Sequence, residues 1–114
     1  MPAVRVQLPS GPAFRPALVE AAEKYAARRG FSSAGEAEFC ELVSVAIDAC
    51  AATDADMVEM TFEEHAEAIA VLVCGLQGSS PIGPAAAAAL TKRFRSATSL
   101  AITDSTVAFR VERV

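Results

Sequence analysis

The chain has 114 residues, of which 53% are apolar, and it carries a formal net charge of −4 with a sequence pI near 4.9. This length is typical of one domain, covering 1–114, that buries enough surface to fold without a disulfide or a metal. The acidic balance argues against sequence-independent nucleic-acid binding and against an anionic membrane surface, because both require clustered Lys and Arg.

The apolar runs and the cysteines predict a cytoplasmic protein. The longest apolar run, 68–76, is about nine residues long, whereas a helix that crosses a membrane needs about twenty. The first residues lack the basic and apolar regions of a signal peptide. The three cysteines and the single histidine, His65, lack the spacing of a zinc site. We therefore expect a reduced cytoplasmic protein without a structural metal.

Hydrophobic periodicity divides the chain into eight elements. Period-two or continuous apolar segments predict strands, a spacing of three or four predicts helices, and an alanine-rich segment is helical by propensity. In chain order we predict a strand over 3–9, helices over 13–29 and 33–53, strands over 57–63 and 68–74, a helix over 85–94, and strands over 99–104 and 106–114.

Local signals add expectations about caps and burial. Phe14 belongs to the predicted apolar stripe of the first helix. The second helix is expected to begin at Ser32 or at Ser33, which would form a capping box with Glu36. The strand over 68–74 is apolar almost throughout, so we expect both of its faces to be buried.

The element order is β-α-α-β-β-α-β-β. Two helices occur in succession near the start, and the strands are mostly joined as hairpins. This order predicts an α+β two-layer sandwich, in which the helices lie on one face of a mixed, mostly antiparallel sheet.

Three stretches resemble one protein family. They are the opening VRVQLPSGPAFRPALVEAAEKYAARRGF, the helix FCELVSVAIDACAAT, and the final helix and hairpin. Together they resemble the ATPase domain of the bacterial anti-sigma-factor serine kinases, within the histidine-kinase-like (Bergerat-fold) ATPase superfamily. The resemblance implies that superfamily's fold, ATP and Mg²⁺ as the family's ligands, sigma factors or their antagonists as protein partners, and a possible homodimer.

The helix motif of that family departs from its pattern here. The family has an acidic residue, a pair such as Ala-Cys, and then an Asn that ligates Mg²⁺ beside the nucleotide phosphates. Asp48, Ala49 and Cys50 match the first part, but Ala52 stands where the Asn is expected. Because Mg²⁺ requires oxygen ligands, a methyl group cannot replace that Asn.

The other two nucleotide motifs of the family also differ. An Asp-x-Gly motif that binds adenine corresponds to Gly75, Leu76 and Gln77, which include no carboxylate. The glycine-rich lid is reduced to GSSPIGP over 78–84, where Gly83 alone remains at the start of the helix. We therefore expect no cofactor, with ATP and Mg²⁺ as the alternative. The candidate positions of a vestigial pocket are Asp48, Ala52, Gly75, Gln77, Ser79 and Gly83.

Other polar residues are candidates for contact with a partner. Glu41, Ser44 and Asp48 share one helix face, which could meet a partner protein or be an ordinary solvated face. The basic cluster at the end of the third helix suits the helix dipole, and it could also meet an acidic partner. That cluster consists of Lys92, Arg93 and Arg95.

Three functions follow from these observations. The first is a non-catalytic regulatory domain that lost the nucleotide site and acts by binding a protein, such as a sigma factor or its antagonist. The second is a divergent ATP-dependent serine kinase. The third is a small-molecule sensor that uses the vacated pocket, lined by Asp48, Gln77 and Ser79.

Overall fold

A computed structural model of the protein describes residues 3–78, 80–94 and 98–112. The described part has the predicted order β-α-α-β-β-α-β-β, with a short 3-10 turn added before the first helix. The strands are β1 (Val4–Pro9), β2 (Met57–Glu64), β3 (Ala68–Leu76), β4 (Thr98–Thr103) and β5 (Thr106–Glu112). The helices are α1 (Arg15–Ala26), α2 (Ser33–Ala51) and α3 (Pro84–Arg93), and the 3-10 turn covers Pro12–Phe14.

The five strands form one sheet in the order β1-β2-β3-β5-β4, and every neighbouring pair is antiparallel. The expectation of a mixed sheet is therefore wrong for the described strands. α3 joins β3 to β4, and these two strands run in the same direction. Because β5 lies between them, no parallel pair forms.

α2 begins at a side-chain cap. The Ser32 hydroxyl accepts a hydrogen bond from the Gly35 amide at 3.1 Å, which satisfies one of the donors that a helix start leaves unpaired. Ser33 is already the first helical residue, so the alternative capping box with Glu36 is wrong. Glu36 instead lies in the first turn, where its carboxylate interacts favourably with the helix dipole.

The core lies between the three helices and one face of the sheet. Residues directly opposite each other on neighbouring strands share a face, and Phe62, Val71 and Phe109 form one such buried row. Tyr25 of α1 stacks on Phe62 with ring centroids 4.7 Å apart. Phe94, directly after α3, meets Phe109 edge to face at 4.8 Å. One helix-covered face agrees with the predicted two-layer α+β sandwich.

Two burial expectations are wrong. Phe14 lies in the 3-10 turn rather than in a helical stripe, and it is 41% exposed. β3 is buried on one face only, because the described helices all pack on the other side from Leu72, which is 38% exposed. Ala70 and Cys74, on the same side as Leu72, are half-buried. Among the described residues, no helix combines the length and apolar character needed to cross a membrane.

Candidate functional site

Asp48 is held by an arginine of the neighbouring helix. Arg15 lies at the start of α1, and its Nε donates to Asp48 Oδ1 at 2.6 Å. The second terminal nitrogen of Arg15 donates to Asp48 Oδ2 at 3.0 Å, so the pair is bidentate. The hydrogen bond from Arg15 to Asp48 and the charge of that carboxylate raise the pKa of Arg15 above its ordinary value. This carboxylate already has a cationic partner within the chain.

A cavity of about 330 Å³ opens beside this pair, between the start of α1 and the end of α2. Leu18 and Ile47 give it apolar walls, and Asp48 provides its one carboxylate. Ala52 contributes only a methyl group, where the resembled family has the side chain of an Asn. This substitution makes the cavity wall less polar as well as removing a metal ligand. The lining residues are Ser10, Pro12, Arg15, Leu18, Ile47, Asp48, Ala51 and Ala52. Such a lining suits an apolar group better than a hydrated metal ion.

Gly75 is packed too tightly to carry a side chain. A β carbon built at Gly75 would lie 2.9 Å from Ala55 Cβ, 2.9 Å from Thr53 Oγ1 and 3.1 Å from the Cys50 carbonyl oxygen. Thr53 is buried, and its hydroxyl donates to the Cys50 carbonyl at 2.6 Å. The end of α2 and the turn that follows it fill the space above Gly75. A carboxylate at this position would therefore displace well-packed atoms.

The segment after β3 is bound to the end of α2 and to the β4–β5 turn. The Ser80 amide donates to the Thr53 carbonyl at 2.7 Å, and the Ile82 amide donates to the Asp104 carbonyl at 2.7 Å. Gln77 is exposed, and its carbonyl accepts from the Asp56 amide at 2.9 Å. These hydrogen bonds hold the short segment against the rest of the protein. A glycine-rich lid that closes over a nucleotide would instead need to move.

The candidate pocket residues therefore divide into two groups. Asp48 and Ala52 border the cavity, whereas Gly75, Gln77 and Gly83 are not among its lining residues. Gly83 instead is the N-cap of α3, with an ordinary φ of −68°. Ser79 lies outside the described residues.

The polar face of α2 is bordered by arginines from both neighbouring helices. Arg93 of α3 lies 2.5 Å from a carboxylate oxygen of Glu41 and 3.8 Å from one of Glu38. The Ser44 hydroxyl donates to the Glu41 carbonyl at 2.8 Å. The hydrogen bond to Glu41 raises the pKa of Arg93. Glu41, Ser44 and Asp48 thus lie on one face, with both carboxylates paired inside the chain.

The sequence interpretation missed the role of Arg15, and it assigned Arg93 to the helix dipole or to an acidic partner rather than to Glu41 of the same chain. Both arginines pair with residues far away in the chain, and opposite charge alone cannot identify such partners. Arg95, the third member of the predicted basic cluster, lies outside the described residues.

None of the three thiols has the environment of a nucleophile. Cys50 is fully buried and donates to the Val73 carbonyl at 3.3 Å, and burial raises its pKa to about 12. For Cys40, burial and then the charges of Glu23 and Glu36 raise the pKa to about 11. Burial and then the charge of Glu59 raise the pKa of Cys74, which lies on the sheet face without helices.

His65 lies in the turn between β2 and β3, and its Nε2 is 3.0 Å from a Glu63 carboxylate oxygen. Within the described ranges, no three His, Cys, Asp or Glu residues are grouped so that they could hold a metal ion.

No protein-family model matches the chain, and no curated protein matches it. The resemblance to the anti-sigma-factor kinases therefore rests on the quoted stretches and on the element order.

Proposed function

We propose that the protein is a non-catalytic regulatory domain that binds a protein partner against α1 and α2, around the pair formed by Arg15 and Asp48. The observation that carries this proposal is the apolar cavity of about 330 Å³ beside the pair. An apolar depression with a charged rim is the arrangement at which a few anchor side chains supply most of the energy of a protein interface.

The cavity and the ion pair give a partner two kinds of contact. Pro12, Ala51 and Ala52 offer the accessible apolar contact area to one large side chain of the partner, above the buried Leu18 and Ile47. Arg15 and Asp48 are 46% and 54% exposed at their side chains, so charges of the partner can reach both. In line with the resemblance, the partner would be a sigma factor or an antagonist of one.

Three features support the loss of catalysis. Ala52 offers no metal ligand, Asp48 is engaged by Arg15, and Gly75 is packed against Thr53. A phosphoryl-transfer site instead depends on a bound metal and on groups that position the nucleotide phosphates. Each of the three features removes or occupies a group that the nucleotide of the family would use.

A variant whose cavity is filled tests whether the partner binds there. The tagged protein is used to capture partners from its source cells, and the captured sigma factor or antagonist is then titrated against Ala51→Leu, which fills the cavity from the last turn of α2. We expect Ala51→Leu to weaken binding at least tenfold, whereas Ala88→Leu on the exposed side of α3 leaves it unchanged. Equal binding by both variants would place the partner elsewhere.

Calorimetry tests the kinase alternative. The purified protein is titrated with a non-hydrolysable ATP analogue, with and without Mg²⁺. We expect no binding heat up to millimolar analogue. Mg²⁺-dependent binding in the micromolar range would instead support a divergent serine kinase, and Asp48 would then be the first residue to change.

A second candidate function is a small-molecule sensor, which the volume of the cavity favours because ligand pockets begin at about 300 Å³. Native mass spectrometry of the purified protein would detect a retained apolar ligand. A ligand that is present in the wild type and absent from Ala51→Leu would support the sensor. Asp48 borders this cavity and Gln77 does not, so the expected ligand contacts differ from those first predicted.

A further inference from the structure

The two edge strands of the sheet differ in regularity. β1 pairs with β2 through all of its residues without a break in register. β4, at the other edge, has a register shift between Thr98 and Ala101, and Ser99 has a positive φ of 62°. Such an irregularity distorts an edge and hinders pairing with another chain. β1 is therefore the edge of this sheet that can accept an additional strand.

The backbone of β1 offers hydrogen-bonding groups along this edge. The Ser10 amide, directly after the strand, donates to the Asp56 carbonyl at 3.0 Å and so points toward β2. Because the direction of the backbone groups alternates along a strand, those of Arg5 and Gln7 point outward. In the part of the chain that the structure describes, no other backbone group bonds to these outward groups. Pro9 has no amide hydrogen, so it ends the available stretch on one side.

A depression of about 620 Å³ lies at the other end of this stretch, between the start of β1 and the end of α1. Val4, Ala21 and Tyr25 supply its apolar surface, and Val4 is 39% exposed. Arg29 stacks on this surface, with its Cζ 4.1 Å from the centroid of the Tyr25 ring. An apolar side chain of an added strand, on the same face as Val4, would lie over the depression.

The charges around the depression leave one cation in excess. Lys24 lies 3.2 Å from a Glu20 carboxylate oxygen, and Arg29 lies 3.7 Å from one of Glu64. Arg28 is exposed at the same rim, and no carboxylate of the described residues forms an ion pair with it. The other carboxylates of β2 lie on the opposite face of the sheet. This rim therefore favours an acidic segment over a basic one.

We propose that the outer edge of β1 binds an extended acidic segment of another protein, which adds to the sheet as a further strand. Hydrogen bonds to the backbone of Arg5 and Gln7 supply the affinity, and the depression supplies the specificity. An apolar residue of the segment packs on Val4 and Tyr25. An acidic residue two positions away, and thus on the same face of the added strand, meets Arg28.

This edge is separate from the surface of the proposed function. The cavity beside Arg15 lies at the start of α1, whereas the depression lies at the end of that helix, and the two share no lining residue. The inference therefore does not depend on the proposed function. Ala51→Leu, which fills the cavity, should leave binding at the β1 edge unchanged.

A short peptide of symmetric sequence is the probe, so that it can pair in either direction. In acetyl-Thr-Glu-Thr-Leu-Thr-Glu-Thr-amide, a glutamate stands two residues from the leucine on each side. Nuclear magnetic resonance of the isotope-labelled protein should show slower hydrogen exchange at the Arg5 and Gln7 amides when the peptide is added, because a strand would cover both. The same peptide with lysines in place of the glutamates should bind about fivefold more weakly.

Gln7→Pro tests the edge itself. Because the Gln7 amide points outward, proline leaves the pairing of β1 with β2 intact, removes the outward donor and obstructs an added strand. We expect Gln7→Pro to weaken peptide binding by about tenfold or more, whereas Gln7→Ala, which keeps the amide, should bind as the wild type does. Circular dichroism checks that both variants are folded.

Arg28→Glu tests the charge. It should weaken binding of the glutamate peptide by about fivefold, and Lys92→Glu, with the same charge change at the end of α3, should not. Unchanged binding by Arg28→Glu, or equal binding of the two peptides, would overturn the acidic partner. Arg5 and Gln7 amides that are already protected without peptide would show that the edge is covered. That result, no binding up to millimolar peptide, or full binding by Gln7→Pro would overturn the whole proposal.

Discussion

Gly75 and Thr53 approach each other so closely that no side chain fits between them. A β carbon at Gly75 would lie 2.9 Å from Thr53 Oγ1, and Thr53 cannot withdraw without losing its hydrogen bond to the Cys50 carbonyl. The glycine is therefore required by packing in β3, at the position where the resembled family has a carboxylate that binds adenine.

Gly75→Asp should unfold part of the protein rather than restore nucleotide binding. The new side chain would collide with Thr53 and Ala55 and would bury an unpaired carboxylate, which we expect to cost about 3 kcal/mol or more. Urea denaturation measures the loss. Gly83→Ala is the control, because nothing lies within 4 Å of its new methyl group, and its effect should be below about 1 kcal/mol. A stable Gly75→Asp variant that binds an ATP analogue would contradict this interpretation of the packing.

The pair formed by Arg15 and Asp48 should contribute little to stability. Both side chains are about half exposed, and exposed ion pairs are typically worth about 0–1 kcal/mol even when they are well aligned. A double-mutant cycle with Arg15→Gln and Asp48→Asn should give a coupling energy in that range, and it should decrease as salt is added. A coupling energy well above it would show that the pair holds α1 against α2, rather than being available to a partner.

Stability should fall with rising pH above about pH 9, in part because of the buried thiol of Cys50. Its pKa is raised from 9.0 to about 12, so between these values the folded protein keeps a proton that the unfolded chain loses. A raised folded-state pKa therefore contributes stability that is complete below pH 9 and is lost as the pH rises toward 12. Chemical denaturation under reducing conditions between pH 8 and pH 10.5 measures the slope.

Cys50→Ala should flatten this pH dependence, whatever stability it loses at neutral pH. Cys40→Ala is the matched variant, because the pKa of Cys40 is raised to about 11 and its removal should flatten the curve less. Identical slopes for Cys50→Ala and the wild type would show that other groups cause the alkaline loss of stability.

Phe94 should be the side chain that fastens the end of α3. It is 2% exposed and packs edge to face on Phe109, so Phe94→Ala should cost about 3–5 kcal/mol through the cavity it leaves. Phe14→Ala is the matched control, and its effect should be below about 1 kcal/mol because Phe14 is 41% exposed. Thermal unfolding of both variants compares the two sites. A larger effect at Phe14 would instead agree with the sequence-based expectation that this residue belongs to the core.

Hydrophobic periodicity predicted which residues of a single helix are buried, because the pattern depends only on residues that are near each other in the chain. Phe39, Leu42, Val43 and Ala46 all proved to be buried on α2, as their helical spacing predicts. Phe14 was misjudged because Pro12 and Pro16 stand on either side of it, and the chain starts with a 3-10 turn before it becomes α-helical. The same spacing that marks a helix face has no meaning in such a turn.

The candidate site was predicted less well than the fold. Asp48 and the C-cap residue Ala52 lie close together at the end of α2, as residues four positions apart in a helical pattern should. Their contacts with Arg15 and with the cavity walls could not be predicted, because the residues involved are 33 positions apart in the chain. The tight packing of Gly75 against Thr53 also depends on how α2 ends above β3.

By itself, the sequence determined the order and type of the elements, the absence of ligand oxygens at Ala52 and Gly75, and the acidic net charge. These properties belong to single residues or to neighbours along the chain. Only the tertiary structure decided that β5 lies between β3 and β4, that Leu72 faces away from the helices, and that Arg15 occupies Asp48. The physical reason is that strand pairing, burial and ion pairing join distant segments, so they are set by the packing of the whole chain.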